Sequence, residues 1–170
     1  GTREYLESHG YKVIAQKTPG AIFSFWEGFE AATGDVIIPF SPDGNSIPEL
    51  IPVLINKMKE GYDMVIASRY KGGAKSYDDN LITAFGNFMF TKLINFLFGG
   101  NYTDTLVMYR AFKKELLKTL EINKNKYSLF VIVLSIRCAK KKLKVAEIPG
   151  DEPARIDGQD SRVHQGVLGR

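Results

Sequence analysis

The chain has 170 residues, with 44% hydrophobic and 25% charged residues and a formal net charge of +4, values ordinary for one soluble globular domain with a sizeable core. Cys138 is the sole cysteine, which excludes an intrachain disulfide and gives no sign of an oxidising compartment. No run reaches the roughly 18 consecutive apolar residues of a spanning helix, and no signal-peptide pattern opens the chain.

Thr2 to Gly10 reads as a short helix with Thr2 as N-cap and Gly10 as its stop. Lys12 to Gln16 reads as a brief strand. Thr18-Pro19-Gly20 forms a turn before a helix over Ala21 to Thr33, where Ile22, Phe25, Trp26, Phe29 and Ala32 recur at helical spacing. Gly34 to Glu49 then organises the remainder. Val36-Ile37-Ile38 is a β-branched run suited to a strand buried on both faces, and Ser41 to Asn45 breaks it with turn residues. Ser46 is placed as N-cap of the next helix, with Glu49 as capping-box partner. A strand, a polar loop holding one carboxylate and a helix make the arrangement in which open α/β sheets bind ligands. Asp43 is therefore the leading candidate site residue. Its bland alternative is a turn-capping aspartate.

Pro48 to Glu60 reads as a helix, with Pro52 near its first turn, and Asp63 to Ser68 as a second buried strand. Arg69 follows it, ahead of a Gly-rich loop over Lys71 to Ser76. Asp79 to Phe98 reads as a long helix whose aromatic residues spread around it, a pattern expected to be buried on more than one side. Leu106 to Phe112 is a further strand and Lys113 to Leu120 a short helix. Tyr127 to Lys140 is an apolar helix and Leu143 to Ile148 a last strand. The alternation predicts a mainly parallel sheet with helices on both faces. Lys140 to Lys142 and Lys144 concentrate positive charge; they read either as a solvated helix end or as an attraction for an anionic substrate or membrane surface.

Several segments share order and spacing with a known family. They are Gly28 with Ala32-Thr33-Gly34-Asp35, Ser41-Pro42-Asp43 with Pro48-Glu49, Ser68-Arg69-Tyr70, and Gly86-Asn87. Thr103-Asp104 with Tyr109-Arg110-Ala111-Phe112, and Arg155, Gly158, Ser161 and Arg162, complete the set. Together they resemble the family 2 glycosyltransferases, and within them the dolichol-phosphate mannose synthase-like enzymes that act on polyprenyl phosphates. The resemblance implies a three-layer α/β/α fold of GT-A type, Rossmann-like, with a mixed, mainly parallel sheet. It also implies inverting transfer of a sugar from a nucleotide-diphosphate donor to a polyprenyl phosphate, assisted by Mg²⁺ or Mn²⁺.

In such enzymes an Asp-x-Asp motif stands where this chain has Ser41-Pro42-Asp43, and Asn45 takes the place of a Gln. One carboxylate, one amide oxygen and one hydroxyl form a weaker cation trap than two carboxylates. The resemblance gives Asp43 and Asn45 to the metal and Ser41 to the same site. Arg69 is placed to reach the acceptor phosphate, or else to pair with Asp78 or Asp79. Arg155 and Arg162, with Ser161, would clamp phosphate oxygens, their bland alternative being surface solvation. Arg110 is taken as a further substrate-binding residue, and Asp104 reads either as the base for a hydroxyl acceptor or as a residue that orients Arg110.

Gly1-Thr2 matches the end of an Asp-Gly-Thr turn. Residues 1–170 are therefore expected to form a single catalytic domain truncated at its N-terminus, lacking the base-binding βαβ portion and incomplete at that sheet edge. Its C-terminus falls where membrane-associated helices often follow in similar enzymes. The expected location is cytoplasmic, including the cytoplasmic face of a membrane with peripheral contact, in cell-envelope chemistry, with no nucleic-acid partner. Two other readings stay open: transfer to a sugar or other hydroxyl acceptor, and a degenerate nucleotide-sugar-binding module.

Overall fold

An uninterrupted apolar run needs cover on both of its faces, and Met64–Ser68 (β2) receives it: all five residues are buried. The structure, a computed structural model, describes residues 2–41, 43–123 and 130–154. In it β2 is an inner strand of a four-stranded sheet. The other strands are β1 (Val36–Ile37), β3 (Arg110–Lys113) and β4 (Val145–Pro149), and the order is β1-β3-β2-β4. β4 runs parallel to β2, with Met64 opposite Val145 and Ser68 opposite Pro149. β3 runs antiparallel to β2 and to β1, with Phe112 opposite both Met64 and Ile37. Three described strands thus share one direction, as a mainly parallel sheet requires. The pairing is mixed because β3 is inserted between β1 and β2.

Side chains alternate across a strand, so Phe112 and Arg110 point to one face and Ala111 to the other. Helices α2 (Ala21–Ala31) and α6 (Phe130–Lys140) cover the Phe112 face. Phe29 meets Phe112 edge-on at 6.0 Å and Phe130 at 5.1 Å, and Trp26 meets Phe29 at 5.6 Å. Burying each ring stabilises the fold by about 1.5–3 kcal/mol, with edge contacts adding about 0.5–1.5 kcal/mol. Helix α3 (Leu50–Lys59) packs on β2 and β3 from the opposite face through the buried Leu54 and Met58. Helix α1 (Thr2–Ser8) has no buried residue, and α5 (Leu116–Thr119) follows β3 with Leu116 buried.

Helix α4 (Leu81–Phe98) starts at Asn80, whose side chain accepts from the Ile82 and Thr83 amides, and ends at Gly99 in the left-handed region. It packs beside α6. Its aromatic residues are not buried on several sides as expected. Phe85, Phe88 and Phe96 are exposed, whereas the buried residues are Asn87, Thr91 and Ile94. Its 18 residues are long and apolar enough to cross a membrane, and 17% of that window is buried.

Other sequence expectations are corrected in detail. Lys12 to Gln16 joins no ladder; the amides of Lys17 and Thr18 just beyond it are held by the Glu27 carboxylate. β1 lies at the edge of the sheet, so Ile37 is buried but Val36 is exposed. The capping box at Ser46 and Glu49 does not form. α3 begins at Leu50, the Ser46 hydroxyl donates to Asn45 Oδ1 instead, and Glu49 makes no side-chain cap. β3 begins only at Arg110, since the Asp104 carboxylate takes the amides of Leu106 and Val107. The predicted helix over Tyr127 to Lys140 is described from Phe130 onward.

Candidate functional site

Because β1, β2 and β4 share a direction, the segments that follow them leave the same edge of the sheet, and β3 enters there. A cleft of about 400 Å³ opens at that edge. Ser41, Asp43 and Asn45 line it from the segment after β1, Arg69 from the end of β2, and Asp151 and Glu152 from the segment after β4. Tyr109, just before β3, donates its hydroxyl to the Ile47 carbonyl at 2.7 Å and stacks edge-on with Phe40 at 5.8 Å. This ties the Asp43 loop to the sheet. Burial, with Glu49 adding to it, pushes the Tyr109 phenol up to about 12.

Ser41, Asp43, Asn45 and Arg69, all singled out from the sequence, thus line one cleft. Asp43 is half-buried, and its Oδ1 accepts from the Asn45 amide at 3.3 Å, with Gly44 in the left-handed region between them. Among the described residues, no three His, Cys, Asp or Glu side chains gather as a metal cage. Ser41, Asp43 and Asn45 nevertheless line the cleft from a single loop, and their side chains carry hard oxygens of the kind that suits Mg²⁺ or Mn²⁺ completed by phosphate and water oxygens.

Arg69 is held on every side. Its Nε donates to Asp104 Oδ2 at 2.7 Å and its Nη2 to Asp104 Oδ1 at 3.1 Å. Its Nη1 donates to Asp79 Oδ2 and to Glu152 Oε2, each at 3.2 Å. Burial works against the guanidinium charge, but the bonds and field of Asp104, with Glu152, outweigh it and hold the pKa above its ordinary value. Tyr70 closes the cluster by donating to Asp79 at 2.5 Å, and burial together with that bond pushes its phenol up to about 12. Asn87 of α4 in turn donates to the Tyr70 hydroxyl at 3.2 Å. The segment after β2 is pinned to the one after β4, since Ser76 Oγ donates to Glu152 at 2.5 Å and the Lys75 amide to Asp151 at 2.8 Å.

Asp104 has no exposed surface and both of its oxygens are occupied, so in this geometry it orients Arg69 and not Arg110. Arg110 itself lies wholly inside the molecule, away from the cleft. It donates to Ser135 Oγ at 2.9 Å and to the carbonyls of Thr105, Val107 and Val131. Burial pulls its pKa down, against the opposing field of Asp104, yet a guanidinium bonded on every arm stays charged. A strand position two before Phe112 faces the α6 side, which is why this arginine is out of a substrate's reach. Arg155, Ser161 and Arg162 lie outside the described residues.

Glu147 and Glu152 escaped the sequence reading. Glu147 accepts from the Thr103 amide at 2.8 Å and the Thr103 hydroxyl at 2.8 Å, fixing the turn that carries Asp104. A lone acid within the apolar strand VAEIP was a usable signal for it. For Glu152 no local signal existed.

The glycosyl transferase family 2 model matches residues 1–121. The dolichyl-phosphate hexose transferase of Haloferax volcanii is 28% identical over 148 residues, covering 87% of this chain and 63% of that protein. The dolichol-phosphate mannosyltransferase of Pyrococcus furiosus is 30% identical over 166 residues, covering 92% and 45%. The chain thus spans roughly half the length of the curated relatives it matches. Among solved structures, glucosyl-3-phosphoglycerate synthase from Mycobacterium tuberculosis, in complex with Mn²⁺, UDP and phosphoglyceric acid, superposes with a TM-score of 0.64. That match is 17% identical and covers 98% of this chain and 59% of the other, a likeness of GT-A-like fold.

Proposed function

Starting from the fact that the chain belongs to glycosyl transferase family 2, we propose that it carries the sugar-transfer site of an enzyme that moves a sugar from a nucleoside-diphosphate donor to a polyprenyl phosphate, with inversion. The observation that carries this reading is that Ser41, Asp43 and Asn45 line, together with Arg69, a cleft at the edge where β1 and β2 end. Relatives named for transfer to dolichyl or undecaprenyl phosphates support the acceptor class, and a neighbour bound to Mn²⁺ and UDP supports a divalent metal and a nucleotide donor.

In the reaction an acceptor phosphate oxygen forms a bond to the anomeric carbon while the bond from that carbon to the donor diphosphate breaks. The departing diphosphate gains negative charge. Asp43, with Asn45 and Ser41, would hold a divalent cation, which supplies positive charge to the leaving group. A phosphate acceptor is already anionic and needs no base. This agrees with an Asp104 fully committed to Arg69, where a hydroxyl acceptor would call for a free carboxylate. The lipid-borne acceptors named for the relatives support work at a membrane surface.

Asp43→Asn in the full-length enzyme tests the assignment. Turnover with a polyprenyl phosphate is expected to fall at least ~10²-fold, the scale of losing a main electrostatic stabiliser. Near-normal turnover at saturating Mn²⁺ or Mg²⁺ would overturn it. Donor binding by the wild type without any transfer would point instead to a binding module.

A further inference from the structure

A helix on the surface of a soluble domain buries its apolar stripe and shows its polar side to water. α4 does the reverse. Leu81, Ile82, Phe85, Phe88, Phe96 and Leu97 are 53–90% exposed. At 100° per residue they spread over about half the helix circumference. No Asp or Glu occurs in the helix, and the cation within the apolar arc, Lys92, lies with its Nζ 5.5 Å from the Phe88 ring. The inward edge is mainly polar, with Ile94 as its buried apolar residue. Asn87 reaches Tyr70, Thr91 Oγ1 lies 3.0 Å from Thr105 Oγ1, and Asn95 exchanges bonds of 2.8 and 2.9 Å with the Tyr102 backbone.

We propose that α4 is an interfacial helix, lying flat with its outward apolar side in an anionic lipid surface and its C-terminal end over the headgroups. Two observations choose this occupant. First, the hydrogen bonds along the inward edge bind the helix to the domain over its length, so it cannot stand across a bilayer without breaking them. Second, positive charge collects at its C-terminal end. Lys140 Nζ lies 5.8 Å from the Phe98 ring, and Lys71 and Lys142 line the concavity that begins at Gly99 and Gly100, where Lys57 is paired with Glu60 at 2.7 Å and Glu147 is the acid among the lining residues. A second copy docked on this face with its helix parallel would bring two such clusters together, whereas anionic headgroups match the charge and the acyl boundary takes the aromatic rings. The same helix steadies the Tyr70–Asp79–Arg69 cluster at the cleft, which places that cluster beside a lipid surface.

The inference deepens the reading of a lipid-borne acceptor and rests on it for the acceptor alone, because membrane binding is measured without any transfer. The experiment is co-sedimentation of the full chain with phosphatidylcholine vesicles and with phosphatidylglycerol-rich vesicles. The wild type should bind the anionic vesicles. Phe85→Ser with Phe96→Ser should weaken binding at least ~10-fold, with the thermal unfolding profile unchanged because both rings face outward. Lys140→Ala with Lys142→Ala should weaken it roughly 10-fold or more, and raised salt should act in the same direction. Absent binding, or binding unaffected by these substitutions, would overturn the proposal. So would a dimer, seen by light scattering without vesicle binding and lost in the Phe85/Phe96 variant, since it would give the face to a second copy. A loss of transfer with intact vesicle binding would count against the proposed reaction and leave the interfacial helix standing.

Discussion

Asp104→Asn separates a carboxylate that builds the site from one that acts on substrate. The substitution keeps the shape and removes the charge that faces Arg69 Nε at 2.7 Å and Nη2 at 3.1 Å. Deleting one partner of a buried ion pair costs about 3–5 kcal/mol, because the other charge is left without compensation. Asp79 and Glu152 remain on Nη1 at 3.2 Å, whereas the Asn NH2 must face N–H donors that the carboxylate accepted from Arg69 or from the Leu106 and Val107 amides. The expected loss is about 3 kcal/mol, the low end of that range. For a chain of this size that lowers Tm by roughly 5–10 °C. Trp26, the single tryptophan, is buried against Phe29 and reports urea unfolding by its fluorescence. Asp79→Asn weakens three bonds that Oδ2 accepts, from Arg69 Nη1, the Tyr70 hydroxyl and Asn87, but leaves an amide oxygen in their place, and should cost about 1–2 kcal/mol. An Asp104→Asn protein with stability within about 0.5 kcal/mol of wild type would refute the reasoning. If such a protein had also lost its turnover, the aspartate would be serving as a base.

Three further outcomes are expected. Ser41→Asp should tighten Mn²⁺ or Mg²⁺ binding in a metal titration, since carboxylate count sets affinity for hard cations; unchanged affinity would mean that Ser41 faces away from the metal. Gly150→Ala should destabilise by about 1–3 kcal/mol in urea, because a Cβ there would lie 2.8 Å from the Ala67 Cβ and 3.2 Å from Ala67 backbone atoms. An unchanged midpoint would show that the rim of the cleft yields. Burial raises the Asp63 pKa, but the Lys113 bond at 2.7 Å and the Lys144 amide outweigh it, so the folded value lies below the unfolded one. Its stabilisation is thus full above about pH 4 and fades as pH falls through the folded pKa. The stability gap between wild type and Asp63→Asn, measured in urea, should then narrow from pH 6 to pH 3.

What the sequence disclosed depended on whether the deciding contact was local. MVIAS could only be a central strand, because five buried residues in a row need cover above and below. Asp43 stood out because strand, turn and helix follow one another within a few residues. The exposed side of α4 was not legible, since periodicity tells where apolar residues sit and not which of them are covered. What decided the matter was the bonding of Thr91 and Asn95 to Thr105 and Tyr102. Arg110 was legible in principle: it shares strand parity with Phe112, a residue that had to be core. The pairing of Arg69 with Glu152 was not, because the partners lie 83 residues apart and meet only when β4 docks beside β2.

Charge at the cleft determines how the donor is held. Among the described residues that line it, Asp43, Asp151 and Glu152 stand against Arg69, whose charge is also matched by Asp104 and Asp79. A diphosphate brings more negative charge, and two like charges 4 Å apart repel by about 4 kcal/mol at an effective dielectric of 20. Donor binding in such a cleft needs added positive charge, from a divalent cation or from the arginines at positions 155 and 162. Ser41→Asp tells these sources apart. With Mn²⁺ present the new carboxylate should tighten nucleoside-diphosphate binding through the metal, and after chelation it should weaken it by repulsion. Calorimetric titration in both conditions reads the two signs. Weakening in both would mean that side-chain cations alone grip the phosphates and that Asp43 does not hold a metal.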